Sequence, residues 1–502
     1  MRVRVVVIGG GAAGIAAARV LHDKNIEFVL LEAQGVLGGR IKETKFHTYT
    51  LEEGSNWIQG EHASLHSSPS SSFHVENPVW HWQRKYDIKG SFTNYSDLKV
   101  IRETGTQLSN EEMTEACWKA IEDAMVECTE NAKNLRKQAE KGNLEEIEER
   151  DTTIKKCVKD TRHYSRSVCP TQIKEAFAWE EIEFETAIIG SSLMHTLPMN
   201  QINGIEYNDR DYLVTDPRGY SVFLREMAKS FDSNIKLNQI VTKVNYGKTS
   251  VKVETKAGLV VNADYAICTL PLGVLQNHAV TFDPPFRGDR LKGINKMKMA
   301  LYSKITLKFY QKFWGDKEIL MYTGDTTQDF IWAINLDHPK YFPGSNMIQF
   351  HVIDKLAKEF EEDFKMNKEV AINKSMTLVR KIFPDTKNFH VPDLEDIHVT
   401  NWNMNPYSYG SWSAKPIGYS KRLWNAMRRN DGRLYFAGEH TSENFGFVHA
   451  ALVEGTKAVE RLLFAMTAPE DINPSTGTTS GAANCSSCKK ILLIFLIVII
   501  SF

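Results

Sequence analysis

At 502 residues, with 42 % apolar and 25 % charged side chains, the chain is long enough for two or three domains' worth of core and is not a mostly disordered one. A formal net charge of −1 excludes the basic excess that a nucleic-acid partner would require. It also excludes a global field able to steer a cationic substrate, so any charge selectivity must be local. The 7 cysteines are odd in number, mostly scattered singly, and do not read as a disulfide framework, which leaves the compartment open. The chain begins with a β-branched run, Val5-Val6-Val7-Ile8, that reads as a buried parallel strand. It turns through Gly9-Gly10-Gly11-Ala12-Ala13-Gly14 into an alanine-rich helix reaching about His22. Gly9 allows the tight turn, Gly11 lets the backbone approach a pyrophosphate with Ala13 in the same turn, and Gly14 lets helix pack on strand. The helix N-terminus offers unpaired N–H groups and a positive dipole end. A second apolar strand, Phe28-Val29-Leu30-Leu31, ends on Glu32, where a ribose hydroxyl needs an acceptor. Strand, turn, helix, strand and acid in that order predict dinucleotide binding.

The next stretch, Glu32-Ala33-Gln34-Gly35-Val36-Leu37-Gly38-Gly39-Arg40, adds a second glycine approach to the same pyrophosphate, with Arg40 pairing its charge. This run resembles the signature of the flavin-containing amine oxidase family, which makes FAD the implied cofactor. In that family a Gly-x-x-Trp lies close under the flavin. The resemblance therefore puts Gly54, Ser55, Asn56 and Trp57 in the cofactor shell, although by itself Trp57 reads as core. His66 to Ser72 reads as a surface insertion, and from about Asn110 to Val158 interleaved charges at i, i+4 spacing predict helices of a second domain. Trp179 to Phe184, with Glu185 following, is an acidic and aromatic cluster before a loop. A helix is expected from Asp216 through about Ser230. The strands expected next are Ile235 to Val244, Val251 to Thr255 and Leu259 to Val261 as a meander, then Asp264 to Pro271 as a buried parallel strand. The family places this last strand beside the first, and Val241 where backbone atoms meet the adenine.

From Met299 to Tyr310 the residues alternate, with Tyr302, Lys304, Thr306 and Lys308 on one face; periodicity alone makes Lys304 a solvent-face lysine. The resemblance implies instead the polyamine oxidase strand whose lysine holds a water against the flavin. Near the C-terminus, Tyr407 to Trp412 precedes a linker, and Arg433 to Ser442 precedes Gly446-Phe447-Val448 and a helix to about Ala465. There the resemblance implies that Glu439 meets the ribityl–phosphate region, Val448 the flavin pyrimidine edge, and Trp412 with Phe447 the substrate. It covers the chain from Val3 to about Leu463, with polyamine oxidases as the nearest subgroup. Monoamine oxidases attach flavin through a cysteine near Gly410-Ser411-Trp412-Ser413; none stands here, so FAD is expected to be non-covalent. Two departures bear on substrate register: Gln59 stands where the family has an acid or a histidine, and the loop before Phe447 is one residue short of the plant type. Gln59 is kept as a substrate-binding residue, and Glu61, Glu183 and Glu185 are candidate ammonium binders.

The implied architecture is α/β with an α+β second domain. Residues 1–80, 216–295 and 400–465 would form a discontinuous Rossmann-like FAD-binding domain, with 81–215 and 296–399 as an interleaved substrate domain of mixed sheet plus helices. Residues 466–490 read as a flexible linker and 491–502 as a hydrophobic tail. The implied chemistry is oxidation of an amine, most simply a polyamine, by dioxygen, with no metal and no nucleic acid. A monoamine or L-amino-acid oxidase is the competing enzyme, and a membrane-tethered non-catalytic flavoprotein the competing non-enzyme. The tail, Ile491 to Ile500 after Lys489-Lys490, is below the ~17–20 residues that span a bilayer. It fits a lipid-anchor signal, with small residues at Ser480-Gly481-Ala482 and a polar spacer, yet no N-terminal targeting segment is visible. A leader lost to a misplaced start, a short tail anchor acylated at Cys485 or Cys488, and a vestigial tail on a soluble cytoplasmic protein all stay open. Sequons at Asn94 and Asn373 are compatible with secretion.

Overall fold

The structure is a computed structural model and describes residues 1–65, 74–108, 111–141, 146–147, 149–184, 187–188, 190–196, 205–207 and 210–467. Glu185, the serine-rich loop and the C-terminal tail lie outside those residues. The apolar opening becomes the strand Arg2–Ile8, whose Val5, Val6 and Val7 are fully buried. It runs parallel to Phe28–Leu31 on one side and to Val260–Cys268 on the other, in registers that set Val5 opposite Phe28 and Tyr265. Continuous burial of both faces is what an unbroken β-branched run implies. Leu434–Phe436 adds a further parallel strand beside Val260–Cys268, while Val251–Thr255 and Val241–Tyr246 form the expected antiparallel meander.

Two strand boundaries differ from expectation. Ile235 to Val244 divides in two: Ile235–Lys236 pairs with Phe28–Leu31 at one edge, and Val241–Tyr246 lies on the other side of the sheet. Asn238, at a left-handed φ of 56°, turns the chain between them, and the amides of Asn238 and Gln239 bond the carbonyls of Gln34 and Glu32. Conversely, Leu259 to Val261 and Asp264 to Pro271 belong to one long strand, Val260–Cys268.

A second, six-stranded sheet runs in the order Leu394–Val399, Tyr302–Phe309, Met347–Ile353, Trp332–Ile334, Ile319–Tyr322, Leu98–Ile101. The helices Asp354–Met366 and Lys368–Ile382 supply Phe360, Ala371 and Val379 to an apolar core shared with Phe309, Phe330 and Phe350 on the sheet side. A three-stranded sheet, Trp57–Gln59, Asp211–Val214 and Gly90–Phe92, joins segments distant in sequence.

The charge-rich stretch is helical, as its spacing predicts: Glu111–Lys141 is a helix of 31 residues, followed by the shorter helices Ile154–Asp160 and Thr171–Ala178. Here the reading of the cysteines is overturned. Cys117 is bonded to Cys169 and Cys128 to Cys157, across sequence separations of 52 and 29. Cys117 and Cys128 stand about three helical turns apart and so share one face of the long helix, against which the later helices pack. Scattered spacing hid a pairing that helix geometry creates. Among the described residues no helix is long and apolar enough to cross a membrane.

Candidate active site

The glycine turn leaves Arg2–Ile8 with Gly9 at φ 108°. A Cβ on Gly14 would stand 1.9 Å from the Gly9 carbonyl oxygen, so only glycine lets the helix Ala12–Asp23 begin this close to the strand. That helix starts at Gly11 with no side-chain cap on its first turn. The second glycine run folds onto the first: the Gly38 amide donates to the Gly10 carbonyl at 2.9 Å, and a Cβ on Gly39, at φ 62°, would lie 3.3 Å from the Gly11 Cα. Glu32 ties the turn from behind, accepting from the Gly10 amide at 2.6 Å and the Gln34 amide at 2.8 Å, and its burial pushes the carboxyl pKa up.

In front of these turns opens a cavity of about 1540 Å³, counting its open mouth. Gly11, Ala13, Arg40, Ser55, Asn56, Trp57, Gln59, Lys304, Trp412, Glu439, Phe447 and Val448 line it, drawn together from sequence positions hundreds of residues apart. Gly9, Gly14, Glu32 and Gly39 stand in the layer behind. Val241, in its own strand, and the acids Glu61 and Glu183 are not on the wall. An uncapped helix N-terminus, glycine backbone on the wall and a lining guanidinium fit the pyrophosphate of a dinucleotide.

Arg40 is fixed by Glu439, its Nη1 donating to Oε1 at 2.9 Å and to the Ser411 carbonyl at 3.0 Å. The Glu439 carboxylate also accepts from the Ser413 amide at 3.2 Å, the Ser413 hydroxyl at 2.6 Å and the Gly446 amide at 2.9 Å. Burial alone would raise its pKa, but the Arg40 charge and these donors hold it below the ordinary value. One carboxylate thus joins three segments of the wall.

Lys304 is not on a solvent face. The strand Tyr302–Phe309 lies between Met347–Ile353 and Leu394–Val399, and its alternate face closes the cavity, leaving Lys304 2 % exposed. Its Nζ donates to the Glu52 carbonyl at 3.1 Å, to Asn56 Oδ1 at 2.9 Å and to the Gly54 carbonyl. Burial depresses its pKa and raises that of neighbouring Glu52, so both groups are driven toward neutrality.

Aromatic side chains complete the wall. The ring of Tyr302 lies 4.8 Å from that of Trp412, and Phe184 stands 5.1 Å from Trp332 and 5.7 Å from Tyr302. Gly446, at φ 87°, brings its loop close enough that a Cβ would lie 3.2 Å from Trp412 Cδ1, and Phe447, stacked on His449 at 4.9 Å, follows it on the wall. The Tyr302 hydroxyl donates to His351 Nδ1 at 2.5 Å, and His351 Nε2 donates to Gln349 Oε1 at 2.9 Å. Burial, with the Lys304 charge, keeps His351 neutral. Tyr302, Phe184, Trp332 and Trp402 were not assigned to the site from sequence. Alternation did place Tyr302 on the Lys304 face; nothing in the local pattern marked Trp332.

The acids are arranged differently from expectation. Glu61 pairs with Arg210 Nη1 at 2.8 Å and Glu183 with Lys155 Nζ at 2.8 Å. The lining carboxylates are instead Glu53, Glu180, Asp211 and Glu439. Glu180 and Phe184, in the acidic and aromatic cluster, belong to a π-helical turn, Trp179–Phe184, that continues Thr171–Ala178.

Residues 12–463 match the family model of flavin containing amine oxidoreductases. Polyamine oxidase 6 of Oryza sativa subsp. japonica is 28 % identical over 92 % of this chain and 91 % of its own, and polyamine oxidase 1 of Zea mays is 28 % identical over 92 % and 90 %. A double mutant of putrescine oxidase, redesigned in its cofactor binding, superposes with a TM-score of 0.67 at 13 % identity, covering 92 % of this chain and 99 % of that one; it bears on the fold.

Proposed function

From the premise that the chain belongs to the flavin-containing amine oxidoreductase family, whose membership implies a flavin cofactor, we propose that it is an FAD-dependent polyamine oxidase. The observation that carries this reading is the buried Lys304 on an aromatic wall contiguous with a dinucleotide cradle. FAD, when bound, supplies the hydride acceptor and passes electrons to dioxygen. The net reaction is oxidation of a secondary amine's C–N bond: amine, dioxygen and water give an aldehyde, a shorter amine and hydrogen peroxide. The uncapped turn at Gly11 and the Arg40 side chain would hold the FAD pyrophosphate, with Glu439 keeping Arg40 in position. Non-covalent attachment is supported by the absence of cysteine from Gly410–Ser413 and by Cys268, the free cysteine among the described residues, being buried off the cavity wall.

Trp57, Tyr302, Trp412 and Phe447 exclude water from the reacting nitrogen, which must be neutral to lose hydride from its neighbouring carbon. Their π faces also favour the cations left on the remainder of a polyamine. Lys304 as an ammonium directs its three protons at protein oxygens. Its neutral form, which burial favours, has a lone pair able to accept from a water and so to assist hydrolysis of the iminium product. Among the described lining residues the one arginine, Arg40, is engaged by Glu439, which disfavours an amino-acid oxidase needing a free guanidinium for a substrate carboxylate.

The test is anaerobic. The flavin absorbance of the purified holoenzyme is followed on adding spermine, spermidine or their acetylated forms, then benzylamine and amino acids. Bleaching by a polyamine, with peroxide on readmitting air, is the expected result; bleaching by monoamines or amino acids alone, or by nothing, sinks the reading.

A further inference from the structure

The chain carries a formal charge of −1, yet two short segments of it are strongly basic. Residues 287–298 hold five lysines or arginines against one acid, and residues 421–433 repeat that balance. Folding brings the two together. The helix Gly288–Lys296 packs on the helix Lys421–Arg428. The Arg290 guanidinium reaches the carbonyls of Ala426 and Arg429 at 3.2 and 2.5 Å, and a Cβ on Gly293 would lie 3.0 Å from the Leu423 carbonyl oxygen. Lys296 Nζ in turn stands 2.8 Å from where a Cβ on Gly418 would be, so the helices run in opposite directions. Ile294, Leu423, Trp424 and Met427 are buried, which turns the charged faces outward.

Some of these cations are answered within the protein. Arg290 meets Asp431 at 3.3 Å, Arg428 meets Glu454 at 3.6 Å, and Arg422 meets Asp289 at 3.4 Å. The last pair spans the two helices, so their exposed edges adjoin. Those contacts use the single acid of each basic segment. Arg287, Lys292, Lys296, Lys298, Lys421 and Arg429 are exposed, and none forms an ion pair with a described residue. Helix stability does not account for all of them: Lys421 and Arg422 open their helix, at the positive end of its dipole, where a cation is disfavoured.

The chemistry of the partner follows from how the charges are laid out. Spread along two helices rather than converging on a pocket, they suit a polymer with repeated anionic groups better than a single anion. Neither helix exposes a large apolar side chain, and the exposed Ile417 in the preceding turn is too little to hold an acyl layer. The two disulfides belong to a chain that folds where thiols are oxidised, and there the extended polyanions are sulfated or uronic-acid polysaccharides rather than nucleic acids.

We propose that the paired helices Gly288–Lys296 and Lys421–Arg428 form a docking surface for an anionic polysaccharide. The surface does not depend on the amine-oxidase reading, and none of its lysines lines the cavity. One consequence does rest on that reading: a polyanion also gathers polycations, so docking would set the enzyme beside a polyamine substrate.

The test measures binding of a fluorescein-labelled heparin dodecasaccharide to the holoprotein by anisotropy, at about 0.15 M salt. Wild type is compared with K292Q/K296Q/K298Q/K421Q and with K24Q/K355Q/K358Q/K387Q, which removes the same charge elsewhere on the surface. Wild type should bind, more weakly as salt rises. The first variant should lose roughly tenfold or more in affinity and the second less than about twofold, with flavin content unchanged in both. No wild-type binding at that salt, or equal losses in the two variants, overturns the proposal. So does tighter binding, through the same lysines, of vesicles of phosphatidylserine and phosphatidylcholine in equal parts or of a DNA duplex. Should the fourfold variant lose its flavin, K292Q/K296Q and K298Q/K421Q decide: each should lose part of the affinity, and wild-type affinity in both refutes the assignment. Binding is read without substrate, so failure of the oxidase reading would not mask the result.

Discussion

Glu439→Gln is the substitution that asks most of the cavity's construction. The native carboxylate receives Arg40 and the Ser413 amide on Oε1, and the Ser413 hydroxyl and the Gly446 amide on Oε2. A glutamine of the same shape must point its NH₂ at one of these two pairs of donors, whichever way it is turned. With the NH₂ toward Arg40 it loses two accepted bonds and leaves Arg40 with the Ser411 carbonyl alone; with the NH₂ the other way it keeps Arg40 but sets N–H against the Gly446 N–H, and in either case the full carboxylate charge opposite Arg40 is gone. Two charge-assisted bonds, at about 1.5–3 kcal/mol each, agree with the loss of about 3–5 kcal/mol expected when one partner of a buried pair is removed. Denaturant unfolding of the holoprotein, with the slope checked for constancy, measures it. Arg40→Met and the double variant complete a cycle, in which the double should cost clearly less than the sum because the two residues act as one unit. The pH dependence has a definite sign. A carboxyl whose folded pKa lies below its unfolded value contributes stability above the unfolded value, and that contribution is lost as pH falls through the folded one. The gap between wild type and Glu439→Gln should therefore narrow in acid. A variant within about 1 kcal/mol of wild type at neutral pH, or strict additivity with Arg40→Met, refutes the reasoning.

Two further expectations follow from buried groups. Lys304 titrates lower in the folded chain than in the unfolded one, so the unfolded state binds more protons between its depressed pKa and the ordinary ~10.4, and wild-type stability gains on Lys304→Met as pH rises through that window. The comparison is made with Glu52→Gln in both proteins, to remove the coupled partner; a gap that stays flat with pH contradicts the burial argument. In the helical region, non-reducing peptide mapping should find Cys117 linked to Cys169 and Cys128 to Cys157. Loss of the larger loop should cost up to about 4 kcal/mol on the chain-entropy estimate, and free thiols at these positions in protein made under oxidising conditions would contradict the pairing.

The nucleotide cradle was legible because each of its parts is local: a β-branched run, a glycine turn, an uncapped helix and an acid follow one another within a few dozen residues. The parts that were not legible depend on what the chain later packs against. Alternation says that Tyr302 and Lys304 share a face, yet it cannot say whether water or another wall meets that face, and here the wall is the cavity. Glu183 attracts notice as an acid in an aromatic cluster, but which of Glu180 and Glu183 points inward depends on the phase of a helix whose last turn is π. Asn238 ends a strand by taking a left-handed conformation that asparagine tolerates and does not require. The cysteine pairing did leave a trace, since Cys117 and Cys128 fall on one face of a helix that the charge spacing already predicts.

A bulk charge of −1 leaves any preference for cations to local groups. Of the cavity's ionisable lining residues, Arg40 and Glu439 cancel each other, Glu53 is answered by Lys42 at 2.9 Å, and Lys304 is driven toward its neutral form by burial. Glu180 and Asp211 also stand on the wall, Asp211 accepting from the Tyr95 hydroxyl at 2.9 Å. On such a wall, selection among amines would turn on these local side chains and does not require the protein surface to be acidic.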